Sequence, residues 1–390
     1  MIYMVDNMKK IKKFRKNVRD MDKVLFVLML GLIIFGTLNI VTASSREVNN
    51  IFLFFAKQVI ILILSFALFF KLINVNTKEY SKIGPFLYIL VLVLNLYLIV
   101  KGGVTRGASN WIDLKFFKLQ PSELAKPVII MMLSVLFDRG YKILQDPNAE
   151  HKNIIGAILF VGIVIPIIVF FQKDLGTCII LVGIFGFMYL SSPILPKEKI
   201  KYMLLGIFVV VFAFLAMSSY KGHVLSKAQE SRLDFFNPCS KYEKDGYQIC
   251  NAFIAINNGG LTGLGIGKST QKYSYIPEPH TDMVFAIIAE ENGVLKCSII
   301  FISYIIILFR ILLLASKTSN IKSRYICIGV ATYMFMHILI NLGGLFGLMP
   351  LTGVPLPFLS YGGSFTLSFI GALGMVQRVY IENKNKVVKV

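Results

Sequence analysis

Apolar runs about 20 residues long recur along almost the whole chain, separated by short polar connections. Coiled into a helix at about 1.5 Å per residue, such a run crosses the hydrocarbon layer of a bilayer. Lipid offers no partner for a backbone N–H or C=O, so each run must bond its own backbone as a helix. That leaves one fold class, an all-α integral membrane protein. About ten transmembrane helices are expected, at 24–43, 51–73, 83–100, 121–137, 154–171, 175–190, 202–218, 283–315, 325–348 and 363–380. The first run ends at 39–45 in a stretch that faintly resembles a cleavage site, but it is long enough to span and reads as an anchor.

The chain carries 41 Lys+Arg against 21 Asp+Glu, a net charge of +20. In a soluble protein this would suggest nucleic acid. Here the basic residues sit in the connections, where they report topology, and no nucleic-acid partner is expected. With the N-terminus inside, the inner segments hold Lys78, Lys82, Arg139, Lys142, Lys152, Lys197, Lys199, Lys201, Lys317, Lys322, Arg324, Lys384, Lys386 and Lys389. The short outer ones hold fewer: Arg46, Lys101, Arg106, Lys115, Lys118 and Lys173. This predicts a multi-pass cell-membrane protein with both termini cytoplasmic. Its parts are a basic tail at 1–23, a membrane domain at 24–380 and a second tail at 381–390. The outer loops are 101–120, the large 219–282 between helices 7 and 8, and 349–362.

The long outer loop escapes the positive-inside rule, so its Lys221, Lys227, Arg232, Lys241, Lys244, Lys268 and Lys272 need another reason. Solvation is one, attraction of a phosphorylated ligand the other. Cys239 and Cys250 share this loop and could pair if it lies outside the cell, whereas Cys178, Cys297 and Cys327 read as small core residues. The four histidines show no zinc-ligand spacing, and no metal site is expected.

Four polar stretches interrupt the apolar pattern. Gly263–Ser269 looks like a phosphate loop but has Thr262 where that motif needs glycine, so its glycines are turn-makers. His280, Thr281 and Asp282 open the eighth run. Thr281 or Asp282 is a helix cap, Asp282 is a general base at the membrane boundary, or both hold. A helix starting there would put Asp282, Ala286 and Glu290 on one face. Pro121 suits the start of the fourth span, where Glu123 and Lys126 share a face as an ion pair or as cavity residues. Asp174 is a cap or a cavity carboxylate. The Pro/Gly-rich stretch from Asn341 to Ser364 is a re-entrant segment or an outer loop. His337 reads as a satisfied interior histidine without a role.

Taken together, Arg106–Ile112, Gln120–Lys126, Gln172–Thr177, Asn258–Gly267, Pro277–Gly293 and Pro355–Ser364 resemble the SEDS family (shape, elongation, division and sporulation). The pieces stand in family order over most of the chain. The resemblance implies a ten-helix fold and a peptidoglycan glycosyltransferase that polymerises lipid II, a lipid-linked disaccharide. It also implies a class B penicillin-binding protein and other division proteins as partners, in membrane lipid. Asp282 matches the family's essential aspartate, and Glu123 with Lys126 its fourth-span polar pair.

In the implied mechanism Asp282 deprotonates the acceptor's sugar 4-hydroxyl, which displaces the prenyl pyrophosphate with inversion. The expected substrate-binding residues are Arg106, Trp111, Gln120, Ser122, Glu123, Lys126, Asp174, Lys268, Lys272, His280 and Ser360. Arg106, Lys126, Lys268 and Lys272 are the cations for the pyrophosphate. No cofactor is firmly implied; a divalent cation, Mg or Mn, is the alternative to these side chains. The Gly263–Lys272 run is nearer the division (FtsW-like) branch. The chain departs from the family pattern at Ser109-Asn110, Lys173, Asn292 and Phe365, the last standing where a second serine is common. The alternatives are an elongation-type polymerase and a flippase whose path is lined by Glu123, Lys126 and Asp174.

Overall fold

The computed structural model describes residues 2–43, 51–101, 110–113, 118–206, 208, 238–241, 246–274, 276 and 279–387. Its principal helices are α1 (Ile2–Asp20), α2 (Lys23–Ala43), α3 (Ile51–Asn74), α4 (Tyr80–Lys101), α5 (Pro121–Gln145), α6 (Lys152–Phe171) and α7 (Leu175–Leu190). They continue with α8 (Tyr247–Gly259), α9 (Val284–Lys317), α10 (Ile321–Leu345) and α11 (Gly363–Val387). The only described strands, β1 (Ile112–Asp113) and β2 (Lys118–Leu119), form a small antiparallel hairpin that leads into α5.

Nine of the ten expected spans coincide with described helices. For the seventh, 202–218, the described residues 201–206 and 208 are helical and the rest lies outside the described residues. Seven described helices are long and apolar enough to cross a membrane. α7 is apolar but has 16 residues, while α5 has 25 and carries Glu123 and Lys126 at its buried end.

The helices form a centre and a rim. In α10 and α11, 78% and 89% of the apolar window is buried, against 22% in α3 and 28% in α4. The rim helices turn Ile60, Ile63, Phe86 and Ile89 outward, as lipid-facing surfaces require. α5 is central too, with Ala125, Ile129, Ile130, Leu133 and Phe137 all fully enclosed. It packs against α4, α6, α7, α10 and α11.

The structure adds one helix to the expected spans and breaks another. The basic tail 1–23 is mostly helix: α1 lays Phe14 against Phe70 at 5.9 Å and bonds Asn17 to Asn74 at 2.8 Å. Asp20 pairs with Lys384 at 3.1 Å, so the two ends of the chain meet. The eighth span is also not one helix. α9 breaks at Gly293 (φ 72°, ψ 172°) into a fully buried piece, 284–292, and a long piece, 294–317.

The break is spliced by the glycine-rich loop. Leu264 N donates to Glu290 O (2.9 Å) and Gly265 N to Glu291 O (3.0 Å). Val294 N donates to Gly260 O (3.0 Å) and Leu295 N to Leu261 O (3.2 Å). Backbone groups orphaned at two helix ends thus find partners in one loop. Gly263 (φ 84°) and Gly293 approach so closely that a Cβ on either would collide with the other's neighbourhood. Cys239 and Cys250 are disulfide-bonded, which ties the turn Pro238–Lys241 to α8.

Candidate active site

The site is assembled around the segment 346–362 between α10 and α11, which is not helical yet is buried at Val354 and from Leu356 to Ser360. Pro350, Pro355 and Pro357 deny it a regular N–H ladder, so side chains and neighbouring backbone must hold it. Tyr304 Oη donates to Pro357 O at 2.6 Å, and Tyr361 N donates to His280 O at 2.9 Å. Ser360, expected on the substrate, is buried, and its hydroxyl accepts Leu356 N–H at 2.7 Å. It fastens a turn.

Asp282 is half-buried in the turn before α9. Met283, and neither Thr281 nor Asp282, takes the N-cap position, and its side chain makes no cap bond. The helix begins at Val284, so Asp282 does not share a helical face with Ala286 and Glu290. Thr281 Oγ1 donates to Asp282 Oδ1 at 3.0 Å, and Asn341 Nδ2 donates to the Asp282 carbonyl at 2.8 Å. Gly353 (φ 73°) faces the carboxylate: a Cβ there would stand 3.8 Å from Asp282 Oδ2. His280 is buried, its ring edge-on to Tyr361 at 5.6 Å. Burial pushes the Tyr361 phenol above its ordinary pKa.

Glu123 and Lys126 form a buried pair, with 2.6 Å between Lys126 Nζ and Glu123 Oε1. Lys126 Nζ also lies 3.0 Å from His337 Nε2, and His337 Nδ1 lies 3.0 Å from Pro355 O. The histidine that sequence left without a role therefore joins the pair to the central loop. Phe365, where the family often has serine, stacks on that imidazole at 4.5 Å.

Asp174 caps α7, accepting Thr177 N–H at 3.1 Å. Its other oxygen accepts from Gln120 Nε2 and Asn110 Nδ2, both at 2.7 Å. It is a cap and a hub at once, and Trp111, which follows Asn110 in the chain, is half-buried. Ser122 is buried, its hydroxyl without a partner among the described residues. α7 also touches the loop: a Cβ on Gly176 would lie 2.9 Å from Val354 Cγ2 and 3.0 Å from Thr352 Cβ. Arg106 lies outside the described residues.

The two loop lysines differ. Lys268 is exposed. Lys272 is buried and bonded to Glu291 at 2.9 Å and to Gly267 O at 2.8 Å, so its charge is already neutralised. Glu290 is wrapped by Ser269, by Thr270 at 2.9 Å and by Asn258 at 3.2 Å. It belongs to the splice around the helix break. Among the described residues no three His, Cys, Asp or Glu side chains group to hold a metal ion.

The structure thus brings Asp282, His280, Glu123, Lys126 and Ser360 together around one loop, with Gln120 and Asp174 at its α7 edge. His337 is the satisfied interior histidine that the sequence suggests, and only its link to the loop, like that of Asn341, is missed by sequence reasoning. The available signal was their spacing: two polar residues four apart in an apolar run, directly before the Pro/Gly-rich segment.

A profile of the FtsW/RodA/SpoVE family, described as a cell cycle protein, matches residues 20–385. A probable peptidoglycan glycosyltransferase FtsW from Marinomonas mediterranea is 32% identical over 368 residues, 92% of this chain and 86% of that protein. The peptidoglycan glycosyltransferase MrdB of Escherichia coli K12 is 28% identical over 384 residues, 98% of each chain. A solved chain of a peptidoglycan synthase complex, described as coordinating polymerization and crosslinking, superposes with a TM-score of 0.73. The match covers 93% of this chain and 98% of that one at 22% identity, which speaks for the fold.

Proposed function

The chain belongs to the FtsW/RodA/SpoVE family of cell cycle proteins, and from that premise we propose that it is a peptidoglycan glycosyltransferase which polymerises lipid II with Asp282 as its base. The observation that carries the reading is the setting of Asp282. It is a half-buried carboxylate on a turn that is fixed through its own backbone and faces a buried, non-helical loop between membrane helices.

The reaction needs one strong base. Asp282 takes the proton of the acceptor's sugar 4-hydroxyl as that oxygen attacks the donor's anomeric carbon. The prenyl pyrophosphate leaves from the opposite face, and the centre inverts. A positioned base contributes about 10²–10⁴ in rate. The remainder comes from orientation and from cations near the departing pyrophosphate. Lys126 and Lys272 are committed to Glu123 and Glu291, so exposed Lys268 is the favoured cation, and sequence grounds add Arg106 as a second candidate.

The membrane topology in this reading has both termini in the cytoplasm and the loops 101–120, 219–282 and 349–362 outside. A class B penicillin-binding protein is the partner that crosslinks the glycan. The division branch is favoured by the Gly263–Lys272 run. The flippase reading loses ground because Glu123, Lys126 and Asp174 are each bonded to other protein side chains.

The test is polymerisation of purified lipid II by the full-length protein in bilayers, with and without its cognate penicillin-binding protein. Glycan strands longer than one disaccharide are expected. Lipid II that crosses the bilayer but never polymerises, in either arm, would refute the assignment.

A further inference from the structure

Three elements meet through two side chains of α10. His337 and Asn341 stand four residues apart, on one helical face. They hold the adjacent carbonyls of the central loop, His337 that of Pro355 at 3.0 Å and Asn341 that of Val354 at 2.8 Å. Each reaches a second partner as well. His337 contacts Lys126, and Asn341 contacts the main-chain oxygen of Asp282 at 2.8 Å.

The bonding fixes the direction of every link. A carbonyl only accepts, so His337 Nδ1 carries the proton and Nε2 is left as the acceptor for Lys126. Lys126 is held on its other sides by Glu123 Oε1 and by the Tyr333 ring, 5.4 Å from Nζ. The imidazole cannot swing, because Phe365 stacks on it at 4.5 Å and Tyr333 abuts its edge at 5.1 Å. Asn341 uses both amide protons, one on each carbonyl, which bridges the loop to the turn that carries Asp282. Glu123 is tethered in turn, its carbonyl accepting from Ser368 of α11 at 2.6 Å.

We propose that His337 and Asn341 are positioning residues: together they transmit the fixed geometry of the buried Glu123–Lys126 pair through the loop carbonyls of Pro355 and Val354 to Asp282. This rests on the reading of Asp282 as the base. Neither residue touches the substrate in this account. Their effect falls on the rate of the chemical step, because a displacement of about 1 Å at a reacting group costs about 10²-fold. It does not fall on binding.

The arrangement also specifies which substitution rescues. Glutamine at 337 offers an amide N–H for Pro355 O and an oxygen for Lys126, so it reproduces both links. Leucine reproduces neither while keeping similar bulk. Aspartate at 341 removes both donors and turns acceptors toward two carbonyls.

The experiment measures lipid II polymerisation by full-length His337→Leu, His337→Gln, Asn341→Asp and Asp282→Asn in bilayers. Alongside it, amide exchange is followed over the described segment 351–361. His337→Leu should lower kcat by roughly 10- to 100-fold with KM within about twofold of the parent, and Asn341→Asp by at least as much. His337→Gln should recover kcat to within about threefold and restore slow exchange in 351–361, which His337→Leu loses. A His337→Leu protein with unchanged kcat overturns the proposal, as does a His337→Gln protein no better than His337→Leu. If Asp282→Asn is inactive in that case, the base assignment survives and only the positioning claim falls. If Asp282→Asn is as active as the parent, the base assignment falls and takes the positioning claim with it.

Discussion

Two buried Lys–Glu pairs stand among the described residues, and they sit in different surroundings. Lys126–Glu123 lies within one turn of α5 and continues outward through His337 to the loop that faces Asp282. Lys272–Glu291 joins residues 19 apart in sequence and reaches the carbonyl of Gly267 and the Tyr273 ring, clamping the glycine-rich loop over the break in α9. Both are almost wholly removed from solvent, with side chains at most 4% exposed. Burying a charge pair is costly, and well-packed apolar replacements are often no less stable. A pair that persists at the hub of a functional loop points to a task in geometry. A pair confined to a splice points to a task in holding the chain together.

The largest expected effect breaks the first pair. Lys126→Met leaves Glu123 charged and alone, a loss of about 3–5 kcal/mol, visible as a collapse of thermal stability and of glycan synthesis. The double change Glu123→Leu with Lys126→Met should regain most of the stability and none of the activity. In the second pair, Lys272→Met costs about as much stability. There the double change Lys272→Met with Glu291→Leu should regain both stability and glycan synthesis per folded molecule. If both double variants behave alike, the contrast between the pairs is wrong.

A middle-sized effect probes the splice. Gly293→Ala forces a side chain into positive φ and into the backbone of the facing loop. Backbone strain of this kind costs about 1–3 kcal/mol before the clash is counted. The melting temperature should fall, and KM for lipid II should move more than kcat. Reducing Cys239–Cys250 should cost on the order of 2–4 kcal/mol and leave kcat within about threefold of the parent, if kcat depends on Asp282 and its positioning groups as proposed. The smallest effect belongs to Lys268. Lys268→Gln should raise KM a few-fold, with a difference that shrinks as salt is added, because an exposed charge acts through a screened field.

The spans were legible in the sequence because bilayer thickness imposes a length and a hydropathy that no other element needs. Nine of the ten expected spans coincide with helices among the described residues, although α5 and α11 run seven or eight residues past their expected ends. The break at Gly293 was not legible. Both halves of α9 are apolar enough to read as one run, and what permits the break is four backbone bonds from residues 260–265. Backbone partners leave no side-chain pattern. The same reason hid His337 and Asn341, whose targets are carbonyls in a loop rich in proline and glycine. From sequence Lys272 reads as a ligand attractor because its loop is basic, whereas the folded chain brings it to Glu291 at the helix break. Asp282 was legible as a candidate because it stands where polar chain gives way to an apolar run, a boundary that hydropathy marks well.

The most direct test of the account replaces one oxygen. Asp282→Asn keeps the size of the side chain and the main-chain carbonyl bonded by Asn341, and it removes only the base. In a single-turnover assay with purified lipid II the variant should retain parental stability and binding while bond formation slows by about 10²–10⁴. Bond formation at the parental rate would contradict the account.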